Sequence, residues 1–328
     1  MLNSELHLNT KLFDTDVEKH ATRDGYGEGI VTLGEKDQNV VVLSADLTES
    51  TRADAFAKKF PERFFNMGVA EQNMAAVAAG LGVSGKTAFL SSYATFSPGK
   101  NWETIRTTAV YNHANVKIAG HHAGVMTGPD GATHQATEDI AITRVWPGID
   151  VLVPCDSIEA RKATIAAGEK YGPVYLRYSR DKTPVITTDK TPFEIGRLDT
   201  YWISKNPQVV IFATGYMLYY ALLAAHTLKE EIDVLVANVS SIKPLDEHHV
   251  VSLLKNTGAA VTVEDHQIAG GLGGLIAETA AKHFPVPIEF VGLRDTFAES
   301  GQPDELLVKY EMDTHAIIKA VHMAVGRK

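Results

Sequence analysis

Residues 64–80 have the sequence FFNMGVAEQNMAAVAAG, in which a short strand-like segment gives way to a helix that begins at Glu71. The small apolar residues after Glu71 suit a helix that packs closely on a sheet, and we predict this helix to span residues 71–83. Short β-rich apolar runs and helical patterns alternate in the same way along the whole chain. Such alternation predicts a parallel sheet that is covered by helices on both faces.

One interruption of this alternation divides the chain into two parts. In the first part, buried strands are predicted at residues 40–46, 87–91, 116–122, 150–154 and 174–179, and helices at 51–59, 71–83, 98–112 and 157–170. Segment 183–197 is rich in Thr and Pro and suits a connection between domains. The predicted fold class is therefore α/β with two doubly wound domains. We predict these boundaries: an N-terminal extension at 1–19, a first domain at 20–185, a linker at 186–204 and a second domain at 205–328.

The composition is that of a soluble globular protein. The 328 residues are 45% hydrophobic and 22% charged, and the formal net charge is −9 at pH 7. A negative chain without a basic stripe is unsuited to a nucleic acid, whose phosphates need neutralising. Cys155 is the only cysteine, which excludes an internal disulfide and a cysteine zinc cluster. Because we find neither a signal peptide nor an apolar run near the ~20 residues of a membrane span, we predict a cytoplasmic protein that binds no membrane.

Polar residues that follow strands are the candidate site, because ligands of open α/β sheets bind at the carboxyl ends of the strands. Glu71 follows one strand, and an acid at this place is on its own explained by capping of the helix. Tyr93 and Phe96 follow the next strand; such a pair usually serves packing, but it can also form a flat platform for a planar heterocycle. Arg180 follows the last predicted strand of the first domain, either as a solvated side chain or as a clamp for a phosphate.

The segment GHHAGVMTGPDGATHQATED at residues 120–139 combines glycine, histidine and aspartate. Its histidines invite a metal site, but His121 and His122 are neighbours on a predicted strand and point to opposite faces. No helical histidine pair with metal-ligand spacing is present, so we predict no metal ligands in this chain. A glycine-rich loop of this kind is better suited to hydrogen-bond a polyhydroxylated substrate.

Together, in this order and spacing, the motifs GVAEQNM, YATF, GPDGATHQ and YSRDK resemble the pyrimidine-binding domain of the transketolase family, from about residue 20 to 185. The runs VEDHQIAGGLGGLIAE and GLRDTFAESG resemble the C-terminal domain of that family, from about residue 205 to 328. The resemblance implies that the first domain binds the aminopyrimidine of thiamine diphosphate. It also implies the transfer of a two-carbon ketol unit between sugar phosphates, as in the pentose phosphate pathway.

The resemblance implies roles at the cofactor for individual residues. Glu71 is similar to the glutamate that hydrogen-bonds N1′ of the aminopyrimidine, where a carboxyl group can share a proton with the ring and stabilise its imino tautomer. The imino group then removes the thiazolium C2 proton, and the carbanion chemistry belongs to the cofactor. Phe96, with Tyr93 beside it, resembles the ring that stacks on the aminopyrimidine. Asp46 resembles an acid near the thiazolium, and Val69 lies in the GVAEQNM motif of this cofactor site.

Substrate roles follow from the same resemblance. Three catalytic candidates match family positions that contact the sugar hydroxyls and assist proton transfers, namely His122, Asp130 and His134. The cluster that holds the sugar phosphate in the family is matched by Arg23, Ser50 and Arg180. Arginine suits this task through its bidentate geometry. Pro129 and Gly99 depart from the family pattern, which bears on substrate preference and not on the cofactor chemistry.

One part of the family's cofactor site is missing from this sequence. The family anchors the diphosphate through Mg²⁺, which is held by a Gly-Asp-Gly motif and a later asparagine in an N-terminal domain. The run GGLGG at 270–274 lacks both the acid and the asparagine. We therefore predict a separate N-terminal subunit that carries the Mg²⁺ ligands. The expected assembly has two copies of each chain, with homodimer contacts and sites at the interfaces.

Three other interpretations remain. The beta subunit of a 2-oxo acid dehydrogenase has the same two domains, although the DGATHQ segment and Arg180 favour sugar-phosphate handling. A 1-deoxyxylulose-5-phosphate synthase shares the YxxF motif and a similar loop, but it is normally one long chain. A non-catalytic scaffold subunit keeps the fold and loses site residues. The residues whose joint presence argues against a scaffold are Glu71, Phe96, Asp130, His134 and Arg180.

Overall fold

The computed structural model describes residues 1–328, in which fourteen strands form three sheets. The strands in chain order are β1 (Lys19–Ala21), β2 (Val40–Ser44), β3 (Phe64–Asn66), β4 (Thr87–Tyr93), β5 (Val116–His121), β6 (Asp150–Leu152), β7 (Val174–Arg177), β8 (Lys182–Pro184), β9 (Asp199–Trp202), β10 (Val209–Ala213), β11 (Val234–Asn238), β12 (Ser241–Lys243), β13 (Ala260–Gln267) and β14 (Ile288–Leu293).

Helices connect most of these strands. The α-helices in chain order are α1 (Thr22–Lys36), α2 (Asp54–Lys59), α3 (Glu71–Val83), α4 (Trp102–Thr104), α5 (Asp139–Arg144), α6 (Ser157–Glu169), α7 (Met217–Leu228), α8 (Glu247–Thr257), α9 (Leu272–His283), α10 (Pro303–Lys309) and α11 (Thr314–Gly326). None of them is long and apolar enough to cross a membrane.

The first sheet has the strand order β12-β6-β7-β5-β4-β2-β3, and β2 to β7 run parallel. Alternate residues of β2 enter different apolar clusters: Val40 and Val42 lie in one, and Val41 and Leu43 in the other. Both faces of the sheet are therefore covered, as the apolar runs predict for a parallel sheet.

The second sheet has the order β14-β13-β10-β11-β9, in which only β9 is antiparallel. In β10, Val209 and Ile211 enter one apolar cluster, whereas Val210 and Phe212 enter the cluster that also holds Val41 of the first sheet. The predicted fold class, two α/β domains, is confirmed. The two domains share one continuous apolar layer.

Three segments interlock the two domains. Segment 186–204, the predicted linker, contributes β9 to the second sheet. Strand β12 comes from the second half of the chain and pairs antiparallel with β6 of the first sheet. The N-terminal extension buries Leu6, Leu8 and Leu12 in the core of the second domain. The two sequence halves are therefore held together by strands and side chains that cross between them.

Two helical regions differ from the sequence predictions. The helix predicted at 98–112 is a run of irregular helical turns, Thr95–Lys100 and Ile105–Val110, around the short α4. Pro98 and Gly99 in this region are poor helix formers. Helix α1 has no counterpart in the predictions, because its four glycines weaken the helical signal. At two of them, Gly25 and Gly29, a Cβ would overlap α6, so these glycines let the two helices approach closely.

We predict that Gly25→Ala destabilises the isolated chain by about 3 kcal/mol, because a Cβ would overlap the backbone carbonyl oxygen of Ser157, which cannot move aside. Gly80→Ala is the matched control, since no atom lies within 4 Å of the added methyl group on α3. It is expected to stabilise the chain by about 0.5–1 kcal/mol. Urea unfolding of both variants gives the two values, and equal midpoints would contradict the close packing of α1 on α6.

Candidate active site

The predicted site residues follow strands whose carboxyl ends meet at one edge of the first sheet. Asp46 follows β2, Tyr93 ends β4, His122 follows β5 and Arg180 follows β7. Glu71 begins α3, shortly after β3. Because β2 to β7 are parallel and adjacent, residues far apart in sequence are brought to the same edge.

The carboxylate of Glu71 is buried, with a side chain that is 3% exposed. Its Oε2 lies 3.1 Å from Nζ of Lys100. The amide of Asn101 donates from Nδ2 both to the carbonyl oxygen of Glu71, at 3.0 Å, and to Oγ of Ser97, at 3.2 Å. These bonds tie the start of α3 to the helical turn that carries Phe96. The acid is therefore not a solvated capping residue; it is a buried group beside an aromatic segment.

Four rings form a wall at the helical turn Thr95–Lys100, whose Lys100 pairs with this acid. Tyr93 stacks on His122 with ring centroids 3.9 Å apart and planes 24° apart. Phe96 lies nearly parallel to Tyr93, at 6.0 Å and 21°. His134 meets Phe96 edge-on, at 5.4 Å and 79°. Since Phe96 and Tyr93 are only half-buried, part of this wall remains open to a planar ligand.

Cations line the wall on the side of α1. One terminal nitrogen of Arg23 donates to the carbonyl oxygen of Ser50 at 2.9 Å and lies 3.4 Å from Nε2 of His122. Nε of Arg23 is buried without a partner. Burial and the neighbouring Arg52 lower the pKa of Arg23. A guanidinium with unused donor capacity beside further arginines suits an anionic ligand.

A second cation closes the other side. One terminal nitrogen of Arg180 donates to the carbonyl oxygen of Thr127 at 2.6 Å and lies 3.6 Å from Oδ1 of Asp130. Asp130 and Thr127 belong to the glycine-rich loop, residues 122–137, which also carries His134. Arg180 therefore fixes this loop against the end of β7 while its remaining donors stay free for a ligand.

His122 is a neutral base or donor in this setting. Burial, with the positive charges of Arg23 and Arg180, lowers the pKa of His122 to about 3. Its Nε2 accepts from Arg23, which places the ring hydrogen on Nδ1, and that atom is buried without a partner. The N–H at Nδ1 is therefore buried without an acceptor, and Nε2 is the ring nitrogen that faces Arg23.

Two predicted cofactor residues lie outside the buried group. Asp46 is exposed, and its Oδ1 accepts from Nδ2 of Asn66 at 3.0 Å. Val69 is 74% exposed. Both residues lie on the open rim of the site. No three His, Cys, Asp or Glu side chains are grouped to hold a metal ion.

The sequence analysis missed four residues that the structure brings to the site. Lys100 pairs with Glu71, Asn101 anchors the same acid, Arg52 lies near Arg23, and Thr127 accepts from Arg180. One sequence feature could have drawn attention to Lys100: it is a basic residue four positions after Phe96. The other three act through backbone contacts or through charge at a distance, which leave no sequence pattern.

Comparisons with known proteins identify the family. The model for the pyrimidine-binding domain of transketolase matches residues 18–185, and the model for the transketolase C-terminal domain matches residues 200–317. The chain belongs to the transketolase family. It is 43% identical to a protein described as a putative transketolase C-terminal section from Methanocaldococcus jannaschii, over 91% of this chain and 94% of that protein.

Other family members are similar over different shares of their lengths. A 6-deoxy-6-sulfo-D-fructose transketolase subunit from Clostridium sp. is 36% identical, over 96% of this chain and 98% of that protein. The transketolase of Homo sapiens is 33% identical, and this chain covers 49% of it. A solved structure described as a split gene transketolase, inactive beta4 tetramer, superposes with a TM-score of 0.87 at 43% identity, over 94% of this chain and 99% of that one.

We predict that His121 makes this transketolase-family chain acid-sensitive. Its ring lies between Tyr26 and Tyr178, both ring nitrogens lack partners, and burial with the charge of Arg23 lowers its pKa well below the ordinary value. Between that lowered pKa and about pH 6.5, only the unfolded chain binds the proton, so stability falls as the pH falls. From pH 7 to about pH 5, this histidine removes about 2 kcal/mol of the unfolding free energy.

His121→Phe is expected to abolish this part of the pH dependence, measured as the difference in unfolding free energy between the two pH values. His248→Gln, on the exposed surface of α8, is the control and is expected to leave the difference unchanged. An unchanged slope in His121→Phe would show that His121 is not the acid-sensitive group.

Proposed function

We propose that the chain is the C-terminal subunit of a split, thiamine-diphosphate-dependent transketolase, which transfers a two-carbon ketol unit between sugar phosphates. One observation carries the proposal: a buried carboxylate, Glu71, is tied through Asn101 to the helical turn that carries Phe96, and it shares the sheet edge with an arginine and histidine cluster. The relatives that match this chain over nearly their full lengths are described as a section or a subunit of a transketolase, which supports the same reading.

The residues present fit one half of thiamine diphosphate. The buried Glu71 carboxylate has a single side-chain partner, Lys100, and so keeps acceptor capacity for a ring. Phe96 offers a half-buried face of the size and flatness that a pyrimidine stacks on. When bound, thiamine diphosphate supplies the carbon nucleophile that takes and passes on the two-carbon unit.

In this proposal, each site residue of the chain has a defined task at the cofactor. Glu71 hydrogen-bonds N1′ and controls the proton on the aminopyrimidine, while Phe96 and Tyr93 hold the ring in its plane. Lys100, whose side chain is 53% exposed, balances the charge of Glu71 in the free chain. Asp46 and Val69, on the rim, border the cofactor where it leaves this chain.

The arginine cluster and the glycine-rich loop hold the substrate. Arg23, Ser50 and Arg180 bind the sugar phosphate, because unused guanidinium donors match phosphate oxygens. His122, neutral at pH 7, contacts a sugar hydroxyl through Nε2, the ring nitrogen that accepts from Arg23 in the free chain. The remaining two catalytic candidates are Asp130 and His134, which contact hydroxyl groups and move protons.

A partner subunit completes the site. The chain lacks the motif for Mg²⁺ and the diphosphate, so those ligands lie on an N-terminal transketolase subunit, in an assembly of two copies of each chain. Apolar residues shortly before Glu71 in the chain face solvent, namely Phe65 on β3, which is 40% exposed, and Val69. Such a patch beside an incomplete site suits a protein interface. A cytoplasmic location is part of the same proposal, since the lone Cys155 needs no oxidising compartment.

We predict that ketol transfer requires both subunits. Mixed with an N-terminal transketolase subunit from the same source, thiamine diphosphate and Mg²⁺, the chain is expected to transfer two carbons from xylulose 5-phosphate to ribose 5-phosphate. Each subunit alone is expected to be inactive. Chromatographic detection of the seven-carbon product measures the transfer. Consumption of pyruvate instead would favour the dehydrogenase or synthase interpretation, and a tight complex without turnover would favour a scaffold.

We predict that Glu71→Gln lowers kcat of the assembled enzyme by at least about 100-fold, because the amide cannot exchange a proton with the pyrimidine ring. The fold and the contact with the partner are expected to persist. Glu247→Gln is the matched control, since Glu247 is likewise the first residue of a helix, α8, and is exposed. Full activity in Glu71→Gln, or an equal loss in the control, would remove Glu71 from the mechanism.

A further inference from the structure

The three glycines of the glycine-rich loop all face the second domain. Gly124, Gly128 and Gly131 have positive φ angles of 77°, 67° and 76°, a region that favours glycine. A Cβ on Gly124 would overlap the carboxylate of Asp265, and one on Gly131 would press on Ser300. The glycines therefore serve close contact with the second domain, in addition to any contact with a ligand.

Asp265 of β13 is the centre of this contact. Its side chain is buried, and Oδ1 accepts from the backbone N–H of Val125 at 2.9 Å. Oδ2 accepts from the hydroxyl of Tyr216 at 2.6 Å. The carbonyl oxygen of Asp265 accepts from the guanidinium of Arg177 at 2.7 Å. One residue of the second domain thus links the start of the loop to both domains.

Apolar packing and two further hydrogen bonds also fix the glycine-rich loop to the second domain. The side chains of Val125 and Met126 belong to the apolar core of the second domain. Nε2 of Gln135 donates to the carbonyl oxygen of Glu299 at 3.1 Å. The N–H of Gln267 donates to the carbonyl oxygen of Thr137 at 2.7 Å. The loop is held by the second domain at its beginning and at its end.

We propose that Asp265 is a positioning residue, through which the second domain sets the places of His122, Asp130 and His134 toward the sugar. This inference rests on the proposed function, in which these three residues contact the substrate. Asp265 acts through the backbone of Val125 and Gly124 and touches neither cofactor nor substrate. Glu71 lies on another segment, and the loop meets Phe96 and Tyr93 only through the rings of His134 and His122, so we expect Asp265 to act on the substrate more than on the cofactor.

Asp265→Ala and Asp265→Asn are expected to differ in the hydrogen bonds that they keep. In Asp265→Ala, the buried N–H of Val125 loses its acceptor and the loop loses its anchor. In Asp265→Asn, Oδ1 still accepts from Val125, and the new amide donates to the Tyr216 hydroxyl, which can accept as well as donate. The alanine variant is therefore damaging, and the asparagine variant rescues it.

The test uses the assembled two-subunit enzyme. Asp265→Ala is expected to lower kcat/KM for the acceptor sugar by about 100-fold, the effect of a displaced catalytic group. The Kd of thiamine diphosphate is expected to stay within about twofold of the wild type, and Asp265→Asn is expected to recover most of the activity. Glu264→Ala is the matched control: Glu264 is the buried neighbour, and its carboxylate accepts from Leu272 and Gly273 within the second domain only.

A second measurement is independent of activity. Hydrogen–deuterium exchange of the glycine-rich loop in the free chain is expected to accelerate in Asp265→Ala and to remain unchanged in Glu264→Ala. If the wild-type assembly shows no ketol transfer, the proposed function fails. Hydrogen–deuterium exchange then still tests whether Asp265 holds the glycine-rich loop in place. Unchanged exchange in Asp265→Ala, unchanged kcat/KM, or an equal loss of cofactor affinity would each overturn the positioning role.

Should Asp265→Ala fail to fold, Gly124→Ala provides the same test from the other side of the contact. The added methyl group displaces the Asp265 carboxylate and strains a backbone with positive φ. It is expected to lower kcat/KM for the acceptor and to accelerate exchange in the loop, again with the cofactor Kd preserved. Wild-type values in this variant would contradict the proposal.

Discussion

The arrangement of both domains depends on the hydrogen bonds of one buried group, the guanidinium of Arg177. It lies at the end of β7 and donates to Oδ2 of Asp139, at 2.8 Å, and to the carbonyl oxygen of Asp265, at 2.7 Å. Burial opposes its charge, yet Asp139 and Asp265 outweigh burial and raise the pKa of Arg177. A buried cation without such partners would be costly, so α5 and β13 must both close around it. The glycine-rich loop leads directly into α5 and is hydrogen-bonded to Asp265 of β13.

The charged groups of the candidate site are paired within the chain, although the site is open on one side. Glu71 has Lys100, and Arg180 has Asp130. Arg23 and Asp46 are the exceptions: Arg23 contacts a carbonyl oxygen and a neutral imidazole, and Asp46 contacts the neutral amide of Asn66. Because Asp46 is exposed on the rim and Arg23 is partly buried, the unpaired charge inside the site is positive. This asymmetry favours an anionic group on the substrate side, whereas the cofactor side presents a balanced ion pair and an aromatic face.

Much of the fold could be predicted because its signals are local. The helix predicted at 71–83 has the observed bounds of α3, and the five strands predicted in the first domain are all present within a few residues. Helix α1 was not predicted, since the reason for its glycines is contact with α6, more than a hundred residues away. The candidate residues of the resemblance converge on one sheet edge because parallel strands end there, but the position of Lys100, four residues after Phe96, does not reveal its pairing with Glu71.

The sequence by itself determined the alternation of strands and helices, the burial of both sheet faces, the family resemblance and the residues to inspect. These follow from side-chain periodicity and short motifs, which involve neighbours along the chain. Only the tertiary structure decided that β12 crosses to the first sheet, that Lys100 reaches Glu71, and that the glycine-rich loop rests on Asp265. The physical reason is that hydrogen bonds and close packing join residues far apart in sequence, and local composition does not encode which distant groups will meet.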